Sequence, residues 1–157
     1  MNIPDSARML ILQLFQNNAR DSIKTILAET GIPSRKLAVE TIEFPLEMML
    51  ALVNELNTSI CFDTGHVLAG FSGPVDFFDA LEKCLPRIAQ IHLHDSPSLE
   101  RTGQIGYGKD HQALGQGDLD VSRFLNRLKI ANFAGPLIFE LTVAEALASM
   151  GMINAIT

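Results

Sequence analysis

Residues 59–66 of the chain are Ser-Ile-Cys-Phe-Asp-Thr-Gly-His, a short apolar run that ends at Asp63 and is soon followed by His66. A brief apolar run bounded by polar and glycine residues is typical of a strand buried on both faces of a parallel sheet. Similar runs occur at residues 37–42, 87–93 and 136–141. These segments predict four successive strands, and each carries an acidic or imidazole side chain near its end.

Amphipathic segments separate these strands. Pro45 begins one helix, residues 75–85 and 120–130 predict two more, and a short Ala-rich helix follows residue 141. Strands that alternate with helices at this spacing predict βαβ units with right-handed crossovers, and therefore a parallel sheet. The predicted fold class is α/β.

The first part of the chain allows two interpretations. Residues 9–15 (MLILQLF) form a compact apolar run that predicts a strand, although a helix beginning at Ser6 is an alternative. After this run, Asn18 is a candidate cap for a helix that closes at Gly31. With the strand at 9–15 included, the sheet is expected to have about five strands.

Length and composition limit the class of protein. The 157 residues suffice for one domain, but a complete (β/α)8 barrel needs roughly 200 to 250. A net charge of -6 disfavours binding to nucleic acid, and no apolar run approaches the roughly 20 residues that cross a membrane. The two cysteines, Cys61 and Cys84, lie in apolar segments, which suits a reducing cytoplasm.

Four polar side chains lie at or near the ends of four successive strands: Glu40, Asp63, His92 and Glu140. The carboxyl ends of parallel strands meet at one face of an α/β fold, where ligands gather. Three carboxylates and one imidazole suit a divalent cation, because without one the burial of several like charges is costly. A single strand-end carboxylate is often only a helix N-cap, but four in succession favour a metal site.

Five strings of sequence support a family resemblance. They are, in order, LAVETIE, CFDTGH, IHLHDS, HQALGQGDLD and LIFELT. The set resembles the C-terminal half of the xylose-isomerase-like TIM-barrel superfamily, which includes isomerases and epimerases of sugars and sugar phosphates and the endonuclease IV group. The resemblance implies a partial (β/α)8 barrel, formed by residues 1–157 as a single domain, in which the first three βα units are absent.

The resemblance also implies a cofactor and a reaction. One divalent metal ion, Mn²⁺, Mg²⁺, Co²⁺ or Zn²⁺, would be held by Glu40, Asp63, His92 and Glu140. In the isomerases and epimerases of the superfamily the two glutamates move protons, so Glu40 and Glu140 would be the catalytic acid and base. The substrate would be a sugar or sugar phosphate, and the reaction would pass through a metal-stabilised enediolate.

Four further residues are candidates for substrate binding. By the same resemblance, His66 and His111 would contact the substrate or a second metal ion. Asp95 would not bind the metal ion itself but could orient His92 or another ligand from behind. Lys109, together with Arg101, could neutralise a phosphate group. The glycine-containing segment 103–108 between them is expected to be a mobile loop of the active site.

Two other functions remain open. One is a metal-dependent hydrolase of the same superfamily, either like endonuclease IV or acting on corrinoids. DNA repair is disfavoured, because Lys109 and Gln13 occupy positions where that group tends to have Asp and His ligands. The other is an inactive, truncated or oligomeric fragment. Since half a barrel exposes two strand edges and an apolar face, a homodimer or higher homo-oligomer is expected.

Overall fold

The computed structural model describes residues 4–156 of the chain. Its first element is a long helix, α1 (Asp5–Thr30), which ends at Gly31. There a left-handed conformation (φ 65°) lets the glycine N–H donate to the carbonyl oxygen of Leu27. Residues 9–15 lie inside this helix, so the predicted first strand is wrong. Asn18 lies in the middle of α1 and caps no helix.

The physical reason is the absence of a helix-breaking residue. No glycine or proline occurs between Asp5 and Thr30, so helical hydrogen bonding continues as far as Gly31. A seven-residue apolar run cannot by itself distinguish a strand from a segment of helix. Gln13, compared above with a strand-end histidine of the endonuclease IV group, therefore lies on a helix.

Four parallel strands form one sheet in the order β1-β2-β3-β4. They are β1 (Ala38–Glu40), β2 (Ser59–Asp63), β3 (Ile88–His92) and β4 (Leu137–Ile138). The α/β class with parallel strands is confirmed, but the expected number of about five strands is corrected to four, half the eight of a closed barrel. β1 and β4 are shorter than predicted, since each pairs with a neighbour on one side only.

Helices follow each of the strands. They are α2 (Leu46–Leu56), α3 (Thr64–Ala69), α4 (Phe77–Cys84), α5 (Leu99–Thr102), α6 (Val121–Ile130) and α7 (Val143–Ile156). Single 3₁₀ turns at Ser34–Lys36 and Leu85–Arg87 lead into β1 and β3. The short helices α3 and α5 were not predicted, because their few residues carry no helical periodicity.

The hydrophobic core lies between the sheet and helices α2, α4 and α6. Val53, Leu81 and Phe124 come from these three helices and are fully buried, as are Phe62 of β2 and Ile91 of β3. Burial of each such side chain stabilises the fold by roughly 1.5–3 kcal/mol. The core therefore fixes the middle strands, whose carboxyl ends carry the polar residues predicted to bind metal.

The outer elements leave apolar surface uncovered. Helix α1 has no buried residue, and it contacts α2 through polar groups, such as the side chain of Gln16, which donates to the carbonyl of Met48. Leu14 and Phe15 are 54% and 61% exposed, and both residues of β4 are exposed. Among residues 4–156, no helix combines the length and hydropathy needed to span a bilayer.

Candidate metal centre

The four predicted ligands meet at the carboxyl end of the sheet. Asp63 at the end of β2 lies opposite His92 at the end of β3 in the parallel pairing of these strands. Glu40 is the last residue of β1, and Glu140 lies just beyond β4. One potential ligand atom from each residue lies within 4.8 Å of the others. The sequence prediction that these side chains converge agrees with this geometry.

The cluster is organised around one imidazole nitrogen. His92 Nδ1 lies 3.0 Å from Glu140 Oε1, 3.2 Å from Glu40 Oε1 and 3.8 Å from Asp63 Oδ2. Within the described part of the chain, the ion pairs of these three carboxylates involve histidines and no lysine or arginine. Three carboxylates without a permanent cation repel one another, so the donor set fits a divalent metal ion.

Asp63 has two roles at this point. One carboxylate oxygen accepts a hydrogen bond of 2.7 Å from the backbone N–H of His66, which caps the N-terminus of α3. The other oxygen faces the imidazoles of His92 and His66 at 3.8 and 3.5 Å. The side chain is fully buried, so Asp63 is both a helix cap and a candidate ligand.

His66 supplies a second sign of a bound group. Its Nδ1 is buried and has no hydrogen-bond partner among the described residues. The atom lies 3.6 Å from Glu40 Oε1 and 3.5 Å from Asp63 Oδ2, beyond good hydrogen-bonding geometry. A buried polar nitrogen is normally satisfied, so an ion, water or substrate group is expected beside it.

A second group of potential ligands adjoins the first. It contains His66, His94 and His111, and their ring nitrogens approach one another within 4.8 Å. Asp110 Oδ2 lies 2.7 Å from His111 Nδ1 and 3.6 Å from His66 Nε2, and the side chain is only 10% exposed. His111 Nε2 lies 3.3 Å from Glu140 Oε2, which connects the two groups.

Asp110 was missed by the sequence prediction, which compared the acidic position of the endonuclease IV group with Lys109. His111 adopts a left-handed backbone conformation with φ of 59°, and the chain turns there. The residue just before this turn, Asp110, thereby faces the two histidines. Lys109 is exposed and forms no ion pair with the described residues. The only signal in the sequence was an Asp directly beside His111.

His94 was also missed; it lies two residues beyond His92, the last residue of β3. It is fully buried, and its Nε2 lies 2.9 Å from the Asp63 carboxylate. Its Nδ1 accepts a 2.9 Å hydrogen bond from the backbone N–H of His111, and the two imidazoles stack at 4.0 Å. Burial lowers the pKa of His94, but the bond to Asp63 and its charge outweigh burial and raise it.

Gln90 completes the surroundings of His92. Its amide nitrogen lies 3.3 Å from His92 Nε2 and donates to Cys61 Sγ at 3.4 Å. Since an amide can present either its nitrogen or its oxygen, Gln90 can match either tautomer of His92. Burial raises the pKa of the Cys61 thiol to about 11, so it is a poor nucleophile at neutral pH.

Asp95 holds the loop that carries the second group. It is fully buried, and its carboxylate accepts 2.9 Å hydrogen bonds from the backbone N–H groups of Ser96, Gly115 and Leu119. The same residue exchanges backbone hydrogen bonds with Gln112. Asp95 is therefore placed to support the loop around Asp110 and His111, and its hydrogen bonds go to that loop and not to His92.

Aromatic side chains continue outward from His66. The Phe71 ring lies 5.1 Å from His66, and the Tyr107 ring stacks on Phe71 at 5.1 Å and 26°. The Glu43 carboxylate, more than burial, raises the pKa of the Tyr107 phenol. Arg101, considered above for phosphate binding, is paired with Asp118 at 2.7 Å.

With this fold and site, the chain belongs to the family described as the xylose isomerase-like TIM barrel, whose model matches residues 12–155. The resemblance drawn from the five strings is thus confirmed. A curated relative, an uncharacterised protein of Methanocaldococcus jannaschii, is 27% identical over 97 residues. The match covers 60% of this chain and 30% of the relative.

Solved structures share the fold. A xylose isomerase domain protein from Planctomyces limnophilus is 22% identical, with a TM-score of 0.68 over 92% of this chain and 51% of its own. A D-tagatose 3-epimerase-like protein is 21% identical, with a TM-score of 0.68 over 93% of this chain and 54% of its own. An IOLI protein with a bound zinc atom is 17% identical, with a TM-score of 0.63 over 99% of this chain and 59% of its own. The chain thus spans little more than half of each structure.

Proposed function

We propose that the chain carries the active site of a divalent-metal-dependent isomerase or epimerase of a sugar or sugar phosphate. The observation that supports this most is that Glu40 and Glu140 approach the same imidazole nitrogen. Their carboxylate oxygens lie 3.2 and 3.0 Å from His92 Nδ1. Two carboxylates beside a metal site provide an acid and a base for moving a proton between carbons. The epimerase-like neighbour agrees with this chemistry.

Glu40, Asp63, His92 and Glu140 would hold the metal ion, and His66 Nδ1 faces the same space. A bound Mn²⁺, Mg²⁺, Co²⁺ or Zn²⁺ would polarise a carbonyl and a neighbouring hydroxyl and so acidify the C–H between them. The zinc in the IOLI structure is consistent with such a site. Imidazole and carboxylate ligands together suit Zn²⁺, Co²⁺ and Mn²⁺.

The two glutamates differ from Asp63 in access. Their side chains are 32% and 35% exposed, whereas Asp63 is fully buried. Glu40 and Glu140 can therefore reach a substrate carbon, one removing the proton and the other returning it through an enediolate. His66 and His111 lie beside them and would bind substrate hydroxyls. Lys109 is exposed on the adjoining loop and is free to meet a phosphate.

The proposal is tested by hydrogen exchange at substrate carbon. The protein is loaded with Mn²⁺ or Co²⁺ and incubated with a panel of ketoses, aldoses and their phosphates in heavy water. Deuterium incorporation next to the carbonyl is expected, and it should be lost in Glu40→Gln and in Glu140→Gln. Less than a tenth of an equivalent of metal bound after loading, or exchange that survives in both variants, would refute the proposal.

A metal-dependent hydrolase is the second candidate, and one observation favours it. The second group, His66, His94 and His111, could hold a further metal ion, with Asp110 beside two of its imidazoles, and paired metals activate water in hydrolases. Reaction in heavy-oxygen water separates the two functions. A hydrolase places the label in its product, whereas proton transfer between carbons does not require it.

We also propose that the single domain of residues 1–157 works in a reducing cytoplasm as a homodimer or higher oligomer. Both cysteines are free and buried, as expected for that compartment. β1 and β4 each have one unpaired edge, and α1 exposes Leu14 and Phe15. Two copies with β4 of one beside β1 of the other would supply eight parallel strands.

Light scattering at micromolar concentration measures the mass of this assembly. A mass of at least twice 17.2 kDa is expected for the wild type. Phe15→Glu should lower it, whereas Ile130→Glu, at an exposed position on α6, should leave it unchanged. A monodisperse monomer of the wild type would rule out the homo-oligomer.

A further inference from the structure

Tyr107 is the single tyrosine of a chain that has no tryptophan, and it lies in the loop beyond α5. Its side chain is 61% exposed. The ring stacks on Phe71, which belongs to the segment after α3. The carboxylate of Glu43, in the segment after β1, raises the pKa of the phenol, so three different loops meet at one exposed ring.

These contacts place Tyr107 at the margin of the candidate metal centre. Glu43 lies three residues beyond Glu40, a predicted metal ligand. Phe71 packs on His66 at 5.1 Å, and His66 faces Glu40 and Asp63. His66, Phe71 and Tyr107 thus form a continuous row of rings, which we call the ring row, from the metal ligands to the surface.

Isolated exposed apolar residues are common and need no explanation. Tyr107 differs because its ring packs on Phe71 and so continues the ring row that begins at the candidate metal centre. Ligand sites are lined mainly by apolar and aromatic side chains that are already in place, with a few polar groups that orient the ligand. One ring face packs on Phe71, and with 61% of the side chain exposed, the other is accessible.

Sugar rings suit such a surface. A pyranose or furanose ring presents axial C–H groups on one face, and the negative face of an aromatic ring attracts polarised hydrogens. We propose that Tyr107 is a specificity-determining residue that stacks on the C–H face of a cyclic portion of the substrate. Phe71 acts as a positioning residue that fixes the plane of the phenol ring. This inference rests on the proposed sugar substrate.

The position of Tyr107 in the ring row sets which part of the substrate it meets. Two ring-to-ring steps of 5.1 Å separate it from His66, the ring that faces the metal ligands. The reacting carbons lie at the metal ligands, so Tyr107 contacts the part of the substrate farthest from them. The favoured ligands are therefore those that present a sugar ring, such as cyclic ketoses and glycosides, over open-chain polyols.

Binding of defined sugars to Zn²⁺-loaded protein tests this. The probes are D-tagatose, D-fructose and methyl α-D-glucopyranoside, with D-glucitol as the open-chain control, and affinity is measured by calorimetry. Tyr107 emission reports its own surroundings, since no other tyrosine or tryptophan is present. We expect emission to change with a ring sugar that binds, and not with D-glucitol.

Three variants complete the experiment. Tyr107→Ala should weaken binding of the ring sugar by about fivefold to tenfold, the range expected for loss of an aromatic stack. Tyr107→Phe should stay within about twofold of wild type, because it keeps the ring. Ile105→Ala, at an exposed position of the same loop, should bind as wild type does. Zn²⁺ affinity should be the same in all four proteins.

The outcomes separate this inference from the proposed function. Equal affinity of wild type and Tyr107→Ala for the ring sugar would overturn the role of Tyr107 and leave the sugar substrate standing. An equal loss of D-glucitol and ring-sugar affinity would overturn the stacking. If the Zn²⁺-loaded wild type binds none of the ring sugars, the role of Tyr107 fails, whereas the proposed function is decided by the deuterium exchange described above.

Discussion

The Nε2 atom of His94 lies 2.9 Å from the carboxylate of Asp63, and both side chains are fully buried. Asp63 is therefore held at three points. Its carboxylate contacts His94 and accepts a hydrogen bond from the His66 N–H, and its own backbone N–H donates a 2.8 Å hydrogen bond to Thr41 Oγ1. A candidate ligand fixed in this way would need little rearrangement to bind a metal ion.

Replacement of His94 by Leu should therefore weaken both stability and metal binding. The change leaves a buried carboxylate without its partner, a loss that typically costs about 3–5 kcal/mol. Urea denaturation of the metal-free protein measures the effect, and added Zn²⁺ should recover part of it by neutralising Asp63. If the free energy of unfolding is unchanged, the pairing of Asp63 with His94 contributes nothing to the fold.

Gly65 should not tolerate a side chain. A Cβ atom at this position would lie 2.1 Å from His94 Nδ1, and that imidazole is fixed by Asp63 and His111. Gly65→Ala is expected to destabilise the fold by about 1–3 kcal/mol or more, as overpacking does. Gly151→Ala is the matched control, because it lies on α7 with nothing within 4 Å of its Cβ. The control should be neutral or stabilising by up to about 1 kcal/mol.

The Glu43 carboxylate raises the pKa of Tyr107 above its ordinary value of 10.0. A raised pKa in the folded state means that folding favours the neutral phenol. This contribution to stability is complete below the unfolded value and is lost as the pH rises through the folded one. Absorbance of tyrosinate against pH measures it directly, since Tyr107 is the single tyrosine. Glu43→Gln should lower the pKa towards the ordinary value; an unchanged titration would contradict the contact.

Much of the site could be predicted from the sequence because it depends on local rules. Asp63 and His92 end apolar runs, and parallel strands bring such ends together. His94 was missed because its role depends on a contact with Asp63 across the sheet, which no spacing along the chain reveals. Asp110 was missed because the left-handed turn at His111 changes which loop residue faces inward.

The error at residues 9–15 has a different physical origin. In a complete α/β fold an apolar run is buried, either as a strand or on a helix face, and the run alone does not distinguish them. Here the run lies on α1 with Leu14 and Phe15 exposed, since the described elements include none that covers that face. The apolar run therefore belongs to an exposed face of a helix, which the pattern alone does not distinguish from a buried strand.

The two cysteines should be unreactive in the folded protein. Burial raises the pKa of Cys61 to about 11 and that of Cys84 to about 12, so almost no thiolate is present at neutral pH. A thiol-specific chromogenic reagent should react with neither thiol in the native protein and with both in denaturant. Rapid labelling of Cys61 in the native state would mean that β2 opens readily, since Cys61 is 3% exposed.

Asp95 provides a test of how the loop after β3 is held. Its carboxylate accepts three backbone hydrogen bonds, from Ser96, Gly115 and Leu119. Asp95→Ala leaves these buried donors unpaired, and each unsatisfied group costs about 1–3 kcal/mol. The variant should therefore be less stable and more readily cleaved by protease between residues 97 and 118. Asp120→Ala, which removes only the cap of α6 at Arg123 N, should cost about 1 kcal/mol. If Asp95 instead acted on His92, Asp95→Ala would lose Zn²⁺ affinity while the loop stayed resistant to protease.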